Sequence, residues 1–188
     1  MATTIPLLRR DHVNFTLVLG ALERQVELAE AGREASTDLV KLILKYFKGY
    51  PRKIHHPKED LIYGALFQHM SGRASNLFHV IQDHRDLSAC LDTLEQTTAE
   101  LKTDDFESVD KFCQAARRFI KKEFEHISLE EGNLYPDAVH LLTDEEWARI
   151  DGVTADDTDP LFGAVVAGPF EELKDAILLL DKRLTPHQ

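Results

Sequence analysis

Apolar residues recur along most of the chain at steps of three and four, the period of a helix with one buried face. Between residues 8 and 26 the line runs through Leu8, His12, Phe15, Leu19, Leu22 and Val26, while Arg9, Arg10, Glu23, Arg24 and Glu27 fall elsewhere on the wheel. Gly32 then marks a stop, and Ser36, Thr37 and Asp38 offer caps for a restart. A second helix carries Leu39, Leu42, Ile43, Tyr46 and Phe47 toward Gly49-Tyr50-Pro51, where the proline predicts a break. The pattern resumes through Ile54, His55, Glu59, Ile62 and Leu66 and fades at Ser71-Gly72.

A third helix follows Leu77, Val80, His84, Leu87, Leu91, Leu94 and Leu101. After the acidic turn Thr103-Asp104-Asp105, a fourth places Phe112, Ala116, Phe119, Glu123, His126, Glu130 and Leu134 on one line and is expected to end near Pro136. Four long helices with short connections predict an all-α fold, an antiparallel up-down-up-down four-helix bundle over residues 1–142. Residues 143–188 read as a C-terminal helical extension. Thr143-Asp144-Glu145-Glu146 is a capping box ahead of Trp147, GVTADDTDPLFG is a loop, and a last helix after Gly168-Pro169 aligns Phe170, Leu173, Ile177, Leu180 and Leu184. Glu171 and Glu172 in its first turn and Lys182 and Arg183 in its last suit the helix dipole. This helix is expected to pack on the bundle or on a partner subunit, as in a homodimer.

The polar residues inside these apolar lines change the picture. Each long helix interrupts its core face with a histidine, and two add a carboxylate four residues on, in His55–Glu59 and His126–Glu130. Residues four apart lie above one another on a helix, so each pair can grip one site. Buried charges need an opposite charge to offset their lost hydration, and a metal cluster supplies it. His12, His55, Glu59, His84, His126 and Glu130 are therefore the expected metal ligands. Imidazole and carboxylate without thiolate suit iron or manganese better than structural zinc, and two iron ions bridged by both carboxylates and an oxide or hydroxide would each keep one open position. Pro57, between His55 and Glu59, distorts that half of the site.

Composition narrows the partners. Of 188 residues, 33 are acidic and 22 basic, and the net charge of -11 disfavours nucleic acid and anionic membranes. Two cysteines, Cys90 and Cys113, form no CxxC pair, no apolar run reaches membrane-spanning length, and the N-terminal stretch lacks the apolar core of a signal peptide. A cytoplasmic protein is expected.

The motifs Asp11-His12, His55-His56-Pro57-Lys58-Glu59-Asp60, Asp83-His84 and His126-Ile127-Ser128-Leu129-Glu130-Glu131 followed by Leu134-Tyr135-Pro136 resemble the hemerythrin-like, histidine-histidine-glutamate cation-binding family over roughly residues 5–142. The resemblance implies an antiparallel four-helix bundle with a non-heme di-iron centre at the six positions named. The oxygen-carrying branch has a second histidine one turn from its third-helix ligand, but Val80 and Ser88 flank His84 here. It also places the last acid five residues after the histidine, whereas Glu130 keeps the four-residue spacing. The chain thus looks like the branch of iron sensors and of proteins linked to nitric oxide stress and iron-sulfur repair. The expected partner is nitric oxide, dioxygen or peroxide, with reversible dioxygen storage or an interaction module holding a structural metal as alternatives.

The remaining candidates are secondary. On an ideal helix His56 points about 100° from His55 and is placed behind the ligands or at the surface, with ligation kept as the lesser alternative. His69, His79, His140 and His187 are read as surface residues. Asp60 and Glu131 either orient ligand imidazoles or are solvated. Tyr63 and Tyr135, a turn beyond the carboxylates, either approach the irons or simply pack, and Glu123 lies one turn before His126.

Overall fold

The computed structural model describes residues 3–70, 75–154 and 158–184, and its regular structure is helical throughout, with no strand among the described residues. Helix α1 (Thr4–Glu30) ends at Gly32, whose φ of 65° is the left-handed conformation that glycine adopts without strain. Ser36 caps α2 (Thr37–Tyr50) by accepting the Leu39 amide at 3.2 Å. After α4 (Ser75–Glu100), Asp105 caps α5 (Phe106–Leu129) in the same way.

The sequence predicts a break at Pro51 and an end near Pro136, and the structure corrects both. The axis of α2 runs on through a widened π-helical turn, Pro51–His55, into α3 (His56–His69). The axis of α5 runs through a second one, Glu130–Leu134, into α6 (Tyr135–Leu141). In each turn an amide reaches back five residues, from His56 to the Pro51 carbonyl and from Tyr135 to the Glu130 carbonyl. Pro57 and Pro136 come immediately afterwards. A proline cannot donate, and its ring crowds the carbonyl four residues back in a regular α-helix. Widening the turn just before it lets the helix continue rather than stop.

The result is a four-rod bundle made of α1, α2–α3, α4 and α5–α6, closed by packing of α1 on α5, α5 on α4, α4 on α2 and α2 on α1. Two apolar clusters fill it. The larger contains Phe15, Leu22, Phe47, Leu87, Phe112 and Phe119, and the smaller contains Leu8, Ile62, Leu66, Val80, Leu134 and Trp147. His12 falls between Leu8 and Phe15, and His84 between Val80 and Leu87, so the polar residues form a layer sandwiched by the two clusters.

The C-terminal segment closes the bundle from two sides. The capping box at Thr143 and Glu146 starts α7 (Asp144–Thr154), which adds Trp147 and Ile150 to the smaller cluster. Asp151 of α7 then accepts the Thr3 and Thr4 amides and the Thr4 hydroxyl, capping α1. Leu161, Phe170, Leu173 and Ile177 join the larger cluster through the loop after Thr158, a 3-10 turn at Gly168–Phe170, and α8 (Glu171–Leu184). Buried Asp159 anchors that loop, accepting from Tyr46, Asn14 and two amides of the loop itself. The side chains of Leu180, Lys182, Arg183 and Leu184, and all of His187, lie outside the described residues. No described helix is long and apolar enough to cross a membrane.

Candidate metal centre

The structure brings His12, His55, Glu59, His84, His126 and Glu130 into the sandwiched layer, all buried or nearly so, with both glutamates fully enclosed. It also removes the surface alternative for His56. That residue is 7% exposed, stacks face to face on the His84 ring at 4.2 Å and sits edge-on to His126 at 5.5 Å. His55 and His56, on either side of the junction between the π turn and α3, serve opposite halves of the layer. The fifth imidazole, absent beside His84, enters from α3 instead. His69, His79 and His140 are exposed, and His69 pairs with Glu146 at 2.9 Å.

Two groups of ligand atoms result, each with its members within 4.8 Å of one another: His56, Glu59, His84 and His126 in one, His12, His55 and Glu59 in the other. Glu59 belongs to both. Its Oε1 lies 3.0 Å from His55 Nε2 and 3.5 Å from His12 Nε2, while Oε2 lies 3.5 Å from His84 Nε2. Glu130 spans the same gap, with Oε2 3.3 Å from His12 Nε2 and Oε1 3.4 Å from His126 Nε2. Both carboxylates thus stand between a three-imidazole side and a two-imidazole side.

Carboxylates behind the imidazoles set which nitrogen faces inward. His55 Nδ1 donates to Asp11, His12 Nδ1 to Glu131 and His84 Nδ1 to Asp60, at 3.2, 3.0 and 3.2 Å. A carboxylate only accepts, so in the neutral rings the proton sits on Nδ1 and the Nε2 lone pair points into the layer. Asp11 is itself held by the Tyr50 hydroxyl at 3.1 Å, and Glu131 by Arg9 at 2.9 Å. Sequence reasoning left Asp60 and Glu131 open between this role and solvation, and it gave Asp11 none.

The tyrosines make a crossed pair of contacts. Tyr63 follows Glu59 in sequence but donates to Glu130 at 2.5 Å, and Tyr135 follows Glu130 but donates to Glu59. Each carboxylate is therefore held by the phenol of the other motif, which ties α3 to α6 across the layer. Tyr135 also stacks on His12 at 5.5 Å.

The donor set fits a cation. Among the described residues, His56 Nε2, Glu59 Oε2, His84 Nε2, His126 Nε2 and Glu130 Oε2 are buried without a hydrogen-bond partner. Orphaned polar atoms are uncommon in folded interiors, and a cluster of them facing one point calls for a ligand. His12 Nε2 and His55 Nε2, both turned inward by their carboxylates, stand 3.2 Å apart. Two lone pairs at that distance require a proton or a metal between them.

The titration of these groups tells the same story. Burial lowers the His12 and His84 pKa values, but the carboxylates that face the rings, Glu130 and Glu59 at His12 and Asp60, Glu130 and Glu59 at His84, favour the protonated forms, outweigh burial and raise both to about 11. His56 is held well below the usual range by burial and then by His84, and burial also lowers His126, so both stay neutral and able to ligate. Burial opposes ionisation of Glu59 and Glu130, yet the histidines around them keep both ionised. Glu123 is buried close by and raised to about 8, chiefly by burial.

A family model for the hemerythrin HHE cation-binding domain matches residues 3–138. No curated protein and no solved structure gives a match.

Proposed function

We propose that this chain, which belongs to the hemerythrin HHE cation-binding family, holds two iron ions and through them binds or reacts with nitric oxide, dioxygen or peroxide. His56, His84 and His126 would hold one ion, His12 and His55 the other, with Glu59 and Glu130 shared. The observation that carries this reading is the pair of ligand groups joined at Glu59, together with the buried atoms that lack partners. All donors are nitrogen or oxygen, which favours iron over a closed zinc site. The irons would supply redox chemistry and an open coordination position.

The chain's own residues do the rest. Asp11, Glu131 and Asp60 fix three imidazoles in the ligating tautomer, Tyr63 and Tyr135 orient the shared carboxylates, and the two apolar clusters keep bulk water from the layer. In this reading residues 1–142 carry the centre and 143–188 close the bundle over it. The uneven set offers three imidazoles on one side and two, His12 and His55, on the other, so an ion held on the His12–His55 side would have fewer protein ligands and could supply the open position. Phe15 lies against His55 on that side, with ring centroids 4.7 Å apart, and helps to keep it dry.

Anaerobic loading with ferrous iron, a metal count and titration with nitric oxide test the proposal. Close to two irons per chain and a saturable spectral change are expected; a chain that takes up less than one iron, or loaded protein blind to all three ligands, refutes it. His56 favours a second reading, reversible dioxygen binding, because it restores the five-imidazole count of the oxygen-carrying branch. A visible spectrum that forms in air and vanishes on degassing over repeated cycles supports that reading, and irreversible oxidation excludes it.

A further inference from the structure

On the outside of the α2–α3 rod lies a groove of about 690 Å³, separate from the metal layer. That size is typical of small-molecule sites. Its apolar lining is Tyr50, Ile54, Pro160 and Phe170, and its charged lining is four lysines and one carboxylate, Glu95. Lys41, Lys45 and Lys48 project from one face of α2 at steps of four and three, and Lys53 joins them from the π turn.

This clustering runs against the charge of the whole molecule, which is -11. Lys41 is paired with Asp38, and Lys48 with Asp92 and Glu95. Lys45 lies over the Phe170 ring at 5.7 Å, and neither Lys45 nor Lys53 has a carboxylate partner among the described residues. The groove thus holds two lysines without a direct carboxylate partner, Lys45 and Lys53, above an aromatic and aliphatic floor, while its one lining carboxylate, Glu95, is engaged by Lys48. An inorganic anion would use the cations and waste the floor, and an apolar molecule would do the reverse. A flat ring carrying a phosphate uses both.

The groove also touches the machinery of the metal layer. Tyr50 lines it and donates to Asp11, which holds His55, while Lys53 and Ile54 belong to the turn that places His55 and His56. We propose that this groove binds a small phosphate ester with a planar ring, of the mononucleotide class, and that its occupant adjusts the His55 side of the centre through Tyr50 and the π turn. The groove does not depend on the metal; the adjustment rests on the di-iron reading.

Calorimetric titration of the full chain, iron-loaded and metal-free, uses adenosine 5′-monophosphate as the probe, with adenosine and inorganic phosphate as separate arms. The expected dissociation constant for the nucleotide is below about 1 mM, with each arm alone at least about tenfold weaker. The variant Lys45→Glu changes an exposed residue of α2 and is expected to weaken the nucleotide at least about tenfold without altering iron content. No saturation by the nucleotide, equal affinity for phosphate alone, or unchanged nucleotide affinity in Lys45→Glu overturns the site. In iron-loaded protein the nucleotide is expected to shift the visible spectrum in wild type and not in Tyr50→Phe. Nucleotide binding without that shift overturns the coupling, whereas nucleotide binding to a chain that takes up no iron refutes the di-iron reading and leaves the groove standing.

Discussion

Removing the metal is expected to cost this protein much of its stability, by an amount that the buried atoms define. Five inward-facing atoms, on His56, Glu59, His84, His126 and Glu130, have no hydrogen-bond partner. A buried polar group left unsatisfied costs about 1–3 kcal/mol, so five cost roughly 5–15 kcal/mol, comparable with the whole stability of a domain. Protons on His12 and His84 recover part of this in the metal-free state, since both rings then face carboxylates at 3.3–3.5 Å. The lower end is therefore the better expectation. At about 2–4 °C per kcal/mol for a chain of this size, chelation should lower Tm by about 10 °C or more. Scanning calorimetry of iron-loaded and chelated protein under anaerobic conditions measures it, and the shift should grow with free iron as linkage requires. A chelated protein melting within about 2 °C of the loaded one would mean that the layer is already satisfied and that its atoms are not arranged around a cation.

Three further outcomes follow from the same geometry. His56→Ala should weaken iron binding at least about tenfold and His69→Ala should leave it unchanged, as read by competition with a coloured chelator; equal effects would leave His56 outside the ligand set, a buried ring that only packs on His84. Tyr63→Phe and Tyr135→Phe each remove a hydrogen bond to a buried carboxylate and should each lower stability by about 1.5–3 kcal/mol in urea unfolding; a loss below about 0.5 kcal/mol would show that the crossed contacts carry no weight. In metal-free protein, His12 and His84 have folded pKa values of about 11 against 6.5 unfolded. Their contribution is therefore complete below about pH 6.5 and disappears as pH rises through 11. The urea midpoint of chelated protein should fall between pH 7 and 10, while that of loaded protein, in which metal replaces those protons, should not; parallel curves would refute this account.

The bundle was legible because its signals are periodic and repeated. Four apolar lines, each broken once by histidine, specify both the helices and a polar layer at one height, since His12 and His84 sit at matching places between apolar neighbours. What escaped was local. Whether Glu131 faces solvent or the back of His12 turns on fractions of a helical turn, which a single sequence does not specify. The crossed partners Tyr63–Glu130 and Tyr135–Glu59 depend on the approach of two rods distant in sequence. Asp11 adjoins His12, yet it serves His55 on another helix.

The largest miss, His56, has a physical cause that the sequence does carry. Two adjacent residues on a regular helix point about 100° apart, so they can scarcely serve one layer. Here they do, on either side of the junction where the π turn Pro51–His55 gives way to α3. The signal is the proline: Pro57 follows His55-His56, and Pro136 follows Leu134-Tyr135. In both rods a π turn ends one residue before the proline's neighbour, and that neighbour, His56 or Tyr135, is the residue aimed into the layer. A proline that reads as a helix breaker is better read here as the mark of a widened turn. That turn lets one rod supply His55 to one half of the layer and His56 to the other, with Glu59 between them. Three neighbouring positions on a single rod then reach both halves of the layer, so α4 need contribute only one histidine to it.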